Sequence, residues 1–175
     1  MTTTSKQGLE PLVCNEPGIL ILGSLPSDIS IESQEYYANP QNFFWRIIAT
    51  ITGSPVPFSY QAKKEMLAKN HIVLWDVYAS AERPGSSDSK IRGGEFNDIA
   101  GFIVRNPTIS TIAFNGKKAF KSFEKYLKLH SGMPNLGHLH GCPCPSTSPA
   151  VRCTGLTFED LVNEWKKIFN DSANQ

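Results

Sequence analysis

A chain of 175 residues with a formal net charge of +1 has room for one domain with a sizeable core, and gives no overall electrostatic case for a polyanion partner. Only a local basic patch would serve such a partner. Hydrophobic residues make up 40% and charged residues 19%, the balance of an ordinary globular protein. No apolar run approaches the roughly 18 residues that span a bilayer. The opening MTTTSKQGLEP lacks the apolar core of a secretory signal. The expectation is therefore a loose tail over residues 1–15, a single domain over 16–175, and a location in the cytoplasm, or the nucleus if the source is eukaryotic.

In chain order, the first element is the run Gly18 to Gly23, fully apolar until its closing glycine, which reads as a strand. Then comes YYANPQNFFW, residues 36–45, where Pro40 marks a helix start and Phe43, Phe44, Ile47, Ile48 and Ile51 keep helical spacing. Tyr60 to Asn70 is a polar helix candidate, and HIVLWDV, residues 71–77, a second strand. Residues 80–96 are the longest irregular stretch, and long ordered loops are often functional. Asn97 stands where it can cap a helix running to Arg105, with Pro107 beyond its end. Ser110 to Phe114 is a third strand, closed by Asn115-Gly116. Lys117 to Leu129 is an amphipathic helix, Leu136 to His140 a weaker fourth strand, and Thr157 to Asp160 a capping-box-like start to a last helix.

Strands and helices alternate, and the strands are apolar on both faces. The pattern predicts an α/β fold, a three-layer α/β/α sandwich around a four-stranded, mainly parallel sheet. Ligands of such sheets bind beyond the carboxyl ends of the strands. The rim should therefore carry Ser24 and Leu25, then Asp76, then Asn115 to Lys118, then Pro145 to Pro149.

Four cysteines, Cys14, Cys142, Cys144 and Cys153, are expected as free thiols. The cluster His138, His140, Cys142 and Cys144 raises the alternative of a metal-dependent hydrolase. A structural zinc, however, draws its four ligands from two separated pairs, and buried thiols and histidines at a strand end are the plainer reading. There is no GxxxxGK[ST] loop, no GxGxxG and no GxSxG elbow, so neither a nucleotide cofactor nor a serine nucleophile is supported. The rim offers rings, carboxamides, one strand-end carboxylate and loops of serine and threonine. Rings with carboxamides suit a flat heterocycle. Hydroxyls and free backbone amides suit phosphates. Together they suit a nucleobase on a sugar-phosphate chain.

The order GSLPS, YYANPQNFFW, LWDV, FNG, PSTSPA resembles the uracil-DNA glycosylase superfamily, and most nearly its hypoxanthine-DNA glycosylase (DNA-deoxyinosine glycosylase) branch. The resemblance covers nearly the whole chain from Gly18. It implies hydrolysis of the N-glycosidic bond of a flipped deaminated base, hypoxanthine first and uracil or xanthine also open, without metal or cofactor. The implied partner is damaged double-stranded DNA, and the chain is expected to act as a monomer. In the mismatch-specific branch a first-loop asparagine holds the attacking water; here that position is Leu25. In the hypoxanthine branch the essential asparagine lies in the Asn-x-Phe-Trp segment, which makes Asn42 the implied catalytic residue and Tyr37 the ring that stacks on the base. The branch's Ala-His-Pro-Arg-Asn stands here as Ala38-Asn39-Pro40-Gln41-Asn42, and its usual first-loop glycine is Ser27.

The chemistry assigns further candidates. Asp76 can accept from a purine N–H or assist the water. Ser24, Leu25, Tyr37, Phe44 and Asn115 are expected to form the base pocket. Ser146, Thr147, Ser148, Pro149 and Lys117 are expected to hold phosphates or wedge into the gap left by the base. Plainer readings stand beside these. Phe43, Phe44 and Trp45 can be core. Asn42 can be a first-turn helix residue, Asp76 the partner of Arg83 or Arg92, and Lys117 with Lys118 a solvated face. A non-catalytic nucleic-acid-binding module on the same fold is the remaining alternative.

Overall fold

Among the described residues, two sheets organise the fold. A computed structural model describes residues 5–130 and 136–173. In the central sheet β2 (Ile19–Gly23) lies between β3 (Ile72–Asp76) and β6 (Thr111–Asn115), and β7 (His140–Cys144) pairs on the far side of β6. All three pairings are parallel, so the four strands end at the same rim. Side chains alternate across a strand, so a run apolar at every position needs cover on both faces. On one face Ile19, Ile21, Leu74 and Ala113 meet Phe44, Ile47 and Ile48 of α2 (Phe44–Thr52) and Leu161 and Trp165 of α6 (Phe158–Trp165). On the other face Leu20, Leu22, Ile112 and Phe114 meet Phe102 and Ile103 of α4 (Ile99–Arg105) and Phe123 and Tyr126 of α5 (Lys117–Leu129). The result is the expected three-layer sandwich.

The fourth strand lies further along the chain than expected, at 140–144 rather than 136–140, and it passes through Cys142-Pro143-Cys144. Pro143 is tolerated there because β7 is an edge strand, with ladder bonds needed on one side only. His138 consequently lies in a turn and does not share a strand face with His140.

The expected irregular stretch holds a second sheet. β4 (Tyr78–Glu82) pairs antiparallel with β5 (Arg92–Phe96), and β1 (Ser5–Gln7) pairs with the other edge of β4. Within the expected tail, Ser5–Gln7 is thus a strand, and Leu12 bridges to Leu74. A short helix, α1 (Asp28–Ser33), follows the first-strand loop, with Ser27 Oγ accepting from the Ser30 amide at 3.3 Å. α3 (Tyr60–Lys69) takes the polar segment as expected. α4 is capped by Asp98 rather than Asn97: Asp98 Oδ1 accepts from the Gly101 amide at 2.9 Å. Asn97 instead donates its Nδ2 to the Asp76 carbonyl at 2.8 Å and pins the end of β3. Thr157 and Asp160 form the capping box of α6.

Candidate active site

The carboxyl ends of the parallel strands open onto a cleft of about 480 Å³. Its walls are the Gly23–Ser27 loop, the Tyr36–Asn42 segment, the Arg83–Ser89 turn, the start of α5 and the Ser146–Ala150 loop. Of the residues expected at the site, Ser24, Leu25, Tyr37, Asn42, Asp76, Asn115, Lys117 and Ser146 through Pro149 all line this cleft. Phe44 does not. It is fully buried among the core residues of α2 and stacks behind Tyr37, ring centroids 4.0 Å apart at 25°. The base-stacking role expected of Phe44 is thereby corrected. Tyr37 alone presents a ring of this pair to the cleft, and Phe44 backs it.

Tyr37 holds a left-handed backbone with φ +50°, a conformation that costs a non-glycine residue on the order of 1 kcal/mol or more. Its surroundings compensate. Phe44 stacks on the ring, and Asn115 Nδ2 donates to the hydroxyl at 2.8 Å. Gly23 is required beside it, because a Cβ at that position would collide with Asp76 Oδ1 and come within 3.2 Å of the Tyr37 hydroxyl.

Asp76 ends β3 at the cleft floor with 3% of its surface exposed. Its Oδ2 is enclosed and has no hydrogen-bond partner among the described residues. Neither Arg83 nor Arg92 pairs with it, contrary to one expectation. Arg83 is buried but directs its guanidinium to the carbonyls of Leu25 (3.1 Å), Pro26 and Gly85 (3.0 Å), with Asp28 and Asp88 at 3.9 and 3.7 Å. Burial, with Asp88 adding to it, pushes the Asp76 carboxyl up to about 8, against the smaller downward pull of Arg83 and the Tyr36 hydroxyl.

Asn42 sits in the turn before α2, not in its first turn. The helix starts at Phe44, later than Pro40 suggests, because the Asn42 side chain takes over the start: Oδ1 accepts from the Phe44 amide at 3.0 Å. That leaves the second lone pair of Oδ1 and the Nδ2 group for a ligand. The turn is built by Asn39, whose Oδ1 accepts from the Gln41 amide at 2.9 Å while its carbonyl accepts from the Asn42 amide at 2.9 Å. Asn39 lines the cleft as well.

Thr147 takes a structural part rather than the phosphate contact expected of it. It is fully buried; its Oγ1 accepts from Asn115 Nδ2 at 2.9 Å and its amide donates to Asn115 Oδ1 at 3.0 Å. Its carbonyl accepts from the Phe43 amide at 3.0 Å. One residue thus fastens the PSTS loop to the end of β6 and to the Asn42 segment. Ser146 and Ser148 remain at the half-exposed edge of the loop. Gly116, at φ +91°, lets Ser146 pack against it, since a Cβ there would lie 3.1 Å from the Ser146 Cβ. Beyond Gly116, Lys117 and Lys118 bring positive charge to the cleft at the start of α5.

Arg83 and Asp88 are cleft residues that the sequence reading missed as site members. The signal available was one arginine inside a glycine- and serine-rich turn, which marks a functional loop no better than a solvated one. The four residues of the His/Cys cluster do not share one strand face, since His138 lies in a turn before β7. Cys142 and Cys144 are buried with sulfurs 3.9 Å apart, and no group of three or more His, Cys, Asp or Glu converges among the described residues. Among these residues no helix is long and apolar enough to cross a membrane.

The uracil DNA glycosylase superfamily model matches residues 11–170. A hypoxanthine DNA glycosylase of Methanosarcina acetivorans is 44% identical over 165 residues, covering 94% of this chain and 98% of the relative. A second, of Methanosarcina barkeri, is 41% identical over 115 residues, covering 65% of this chain and 73% of the relative. A solution NMR structure from Methanosarcina acetivorans, provisionally named a uracil DNA glycosylase, superposes with a TM-score of 0.78 at 36% identity over 96% of this chain and 98% of that one. The sheet order, the cleft beyond the strand ends and the match across nearly the whole length agree: the chain belongs to the uracil DNA glycosylase superfamily.

Proposed function

We propose that this DNA N-glycosylase acts on a deaminated base extruded from duplex DNA, hypoxanthine before uracil or xanthine, and leaves an abasic site. The observation that carries the reading is the convergence of Asn42 and Asp76, from segments far apart in sequence, on one cleft beside the Tyr37 ring. The preference for hypoxanthine is supported by the 44% identity to the hypoxanthine DNA glycosylase of Methanosarcina acetivorans.

Base release builds positive charge on the sugar and negative charge on the base, so strong nucleophilic power is not required. The protein must extrude the base, hold one water and stabilise the leaving group. Tyr37, backed by Phe44, provides a stiff ring for stacking worth about 1–3 kcal/mol. The Asn42 carboxamide holds the water. Asn115 is spent on Tyr37 and Thr147 and acts on the base through the ring it positions. The test is a set of oligonucleotides carrying a single deoxyinosine, deoxyuridine or deoxyxanthosine, incubated in EDTA and cleaved with alkali at abasic sites. Cleavage of the deoxyinosine strand is expected, with less of the deoxyuridine strand. Well-folded protein in excess that yields no abasic product from any of them would sink the proposal.

Duplex binding by a chain of net charge +1 needs local charge and neutral phosphate contacts. Lys117 and Lys118 stand on one wall. Near the PSTS loop, Arg46 and Arg152 both lie over the Phe43 ring, at 5.7 and 5.2 Å from its centroid, and both are exposed. The double replacement Ser146→Ala, Ser148→Ala should weaken lesion-duplex binding with little change in thermal stability. Thr147→Ala should lower thermal stability instead, by about 1–2 kcal/mol, because it strips Asn115 of a buried partner. Replacing Lys117 should flatten the salt dependence of binding, with the slope of log K against log salt falling by about one unit. Unchanged duplex affinity in the double serine variant would make the loop structural.

A further inference from the structure

Resting on the glycosylase reading, we propose that Asp76 stands as the neutral acid in the resting enzyme and passes its proton to the departing purine. Three features of the cleft floor lead there. The carboxyl group is almost wholly enclosed, and Oδ2 has no donor among the described residues. A carboxylate so placed would leave a buried charge without a hydrogen bond to one of its oxygens, which costs more than burying the neutral acid. The buried cation of the cleft wall, Arg83, is committed to three backbone carbonyls and to Asp28 and Asp88. And Gly23, which also lines the cleft, leaves room for Oδ1, with which a Cβ at that position would collide.

The groups that bear on its charge come from every side of the floor. Tyr36 and Tyr37 flank it from the segment after α1, Asp88 repels from the turn after β4, and Arg83 attracts from the end of β4. The Tyr36 hydroxyl donates to the Leu9 carbonyl at 3.2 Å and exerts the smallest of the pulls on the Asp76 carboxyl, and the Tyr37 hydroxyl accepts from Asn115 at 2.8 Å. Burial leads the balance and sets the titration near pH 8.

Such an acid suits a purine leaving group, whose N7 lone pair lies in the ring plane and accepts a proton as the glycosidic bond lengthens. The Asp76 O–H bond breaks and an N7–H bond forms. The C1′–N9 bond breaks with its electron pair going to the ring, so hypoxanthine leaves neutral. The water held by Asn42 bonds to C1′ through oxygen, and its proton goes to the Asp76 carboxylate, which restores the acid. The sum is deoxyinosine and water giving an abasic sugar and hypoxanthine, with no other reactant. Protonation of uracil has no equivalent ring nitrogen, which ranks hypoxanthine ahead of uracil at this site.

The experiment measures single-turnover base release between pH 6 and pH 10 from duplexes carrying deoxyinosine or 7-deaza-2′-deoxyinosine, for the parent and Asp76→Asn. The parent should release hypoxanthine at a constant rate up to about pH 8 and roughly tenfold more slowly per unit above it. Asp76→Asn should lose about 100-fold at pH 7 and all of that pH dependence, with lesion-duplex affinity kept. The 7-deaza substrate should be poor for the parent and no poorer for the variant. A protonated-carboxyl C=O band at pH 7, present in the parent infrared spectrum and absent from Asp76→Asn, reports the acid form directly. Deoxyinosine release by Asp76→Asn at the parent rate, or an ionised Asp76 at pH 7 in the infrared spectrum, overturns the proposal. Absence of base release from every lesion instead overturns the glycosylase reading, and the infrared band still decides the state of Asp76.

Discussion

Asn42→Ala is expected to slow single-turnover base release by at least about tenfold while leaving lesion-duplex affinity nearly intact, because a water-holding group acts mainly in the transition state. The structure adds a second effect that must be separated from the first. Asn42 Oδ1 also accepts from the Phe44 amide, so alanine leaves the start of α2 open at a cost of about 1 kcal/mol. Asn42→Asp keeps an acceptor in the same place and should restore the helix start. A thermal melt beside the rate measurement decides the matter. If Asn42→Ala melts lower but releases base at the parent rate once corrected for folded fraction, Asn42 is a capping residue only. If Asn42→Asp recovers the melt and not the parent rate, the carboxamide itself is needed at the water.

Asp76→Asn is expected to stabilise the fold at pH 8 while it disables base release. In the unfolded chain this carboxyl titrates at its ordinary value of 3.8; in the folded chain it titrates near 8. Between those values the folded state holds a proton that the unfolded state has given up. Stability therefore falls as pH rises through that window and levels off above it. At 1.36 kcal/mol per unit the full penalty approaches roughly 5 kcal/mol. The asparagine amide meets the same poorly donated pocket and gives back about 1–3 kcal/mol. A net gain of about 3 kcal/mol at pH 8 should raise the melting temperature by roughly 6–12 °C for a chain of this size, and the gain should vanish at about pH 5, where the penalty on the carboxylate equals the cost of the amide, and reverse below it. A variant that melts below the parent at pH 8, or with a difference independent of pH, would show that Asp76 is an ordinary ionised carboxylate. Stability given up at a functional group is a common trade in enzymes.

The sequence by itself determined the layered frame and most of the chemistry on the rim. The three central strands lie within a residue or so of their expected bounds, because a short, largely apolar run between polar or glycine punctuation has few other places to go. Helix α5 spans Lys117–Leu129 as read, and Thr157 with Asp160 closes the capping box of α6, since both signals are local. The Asn-Phe-Phe-Trp and Pro-Ser-Thr-Ser segments stood out through the family resemblance that their order carries, and Asp76 and Asn115 through their places at strand ends. Tertiary structure decided the rest. β1, β4 and β5 were invisible because Arg92-Gly93-Gly94-Glu95 carries no apolar alternation, and β1 finds its partner some 70 residues away. Which ring meets the cleft was equally out of reach. Tyr37 reaches it through a left-handed backbone that the surrounding contacts hold, while Phe44, at the helical spacing of a core residue, packs behind it. Thr147 and its serine neighbours are chemically alike in the sequence, and only the fold turns one inward to Asn115 and leaves the others at the edge. Asp76 shows the same division. Its type and its place at a strand end are written locally, but its proton depends on enclosure by Tyr36, Tyr37, Asp88 and Arg83, which the folded chain alone brings together.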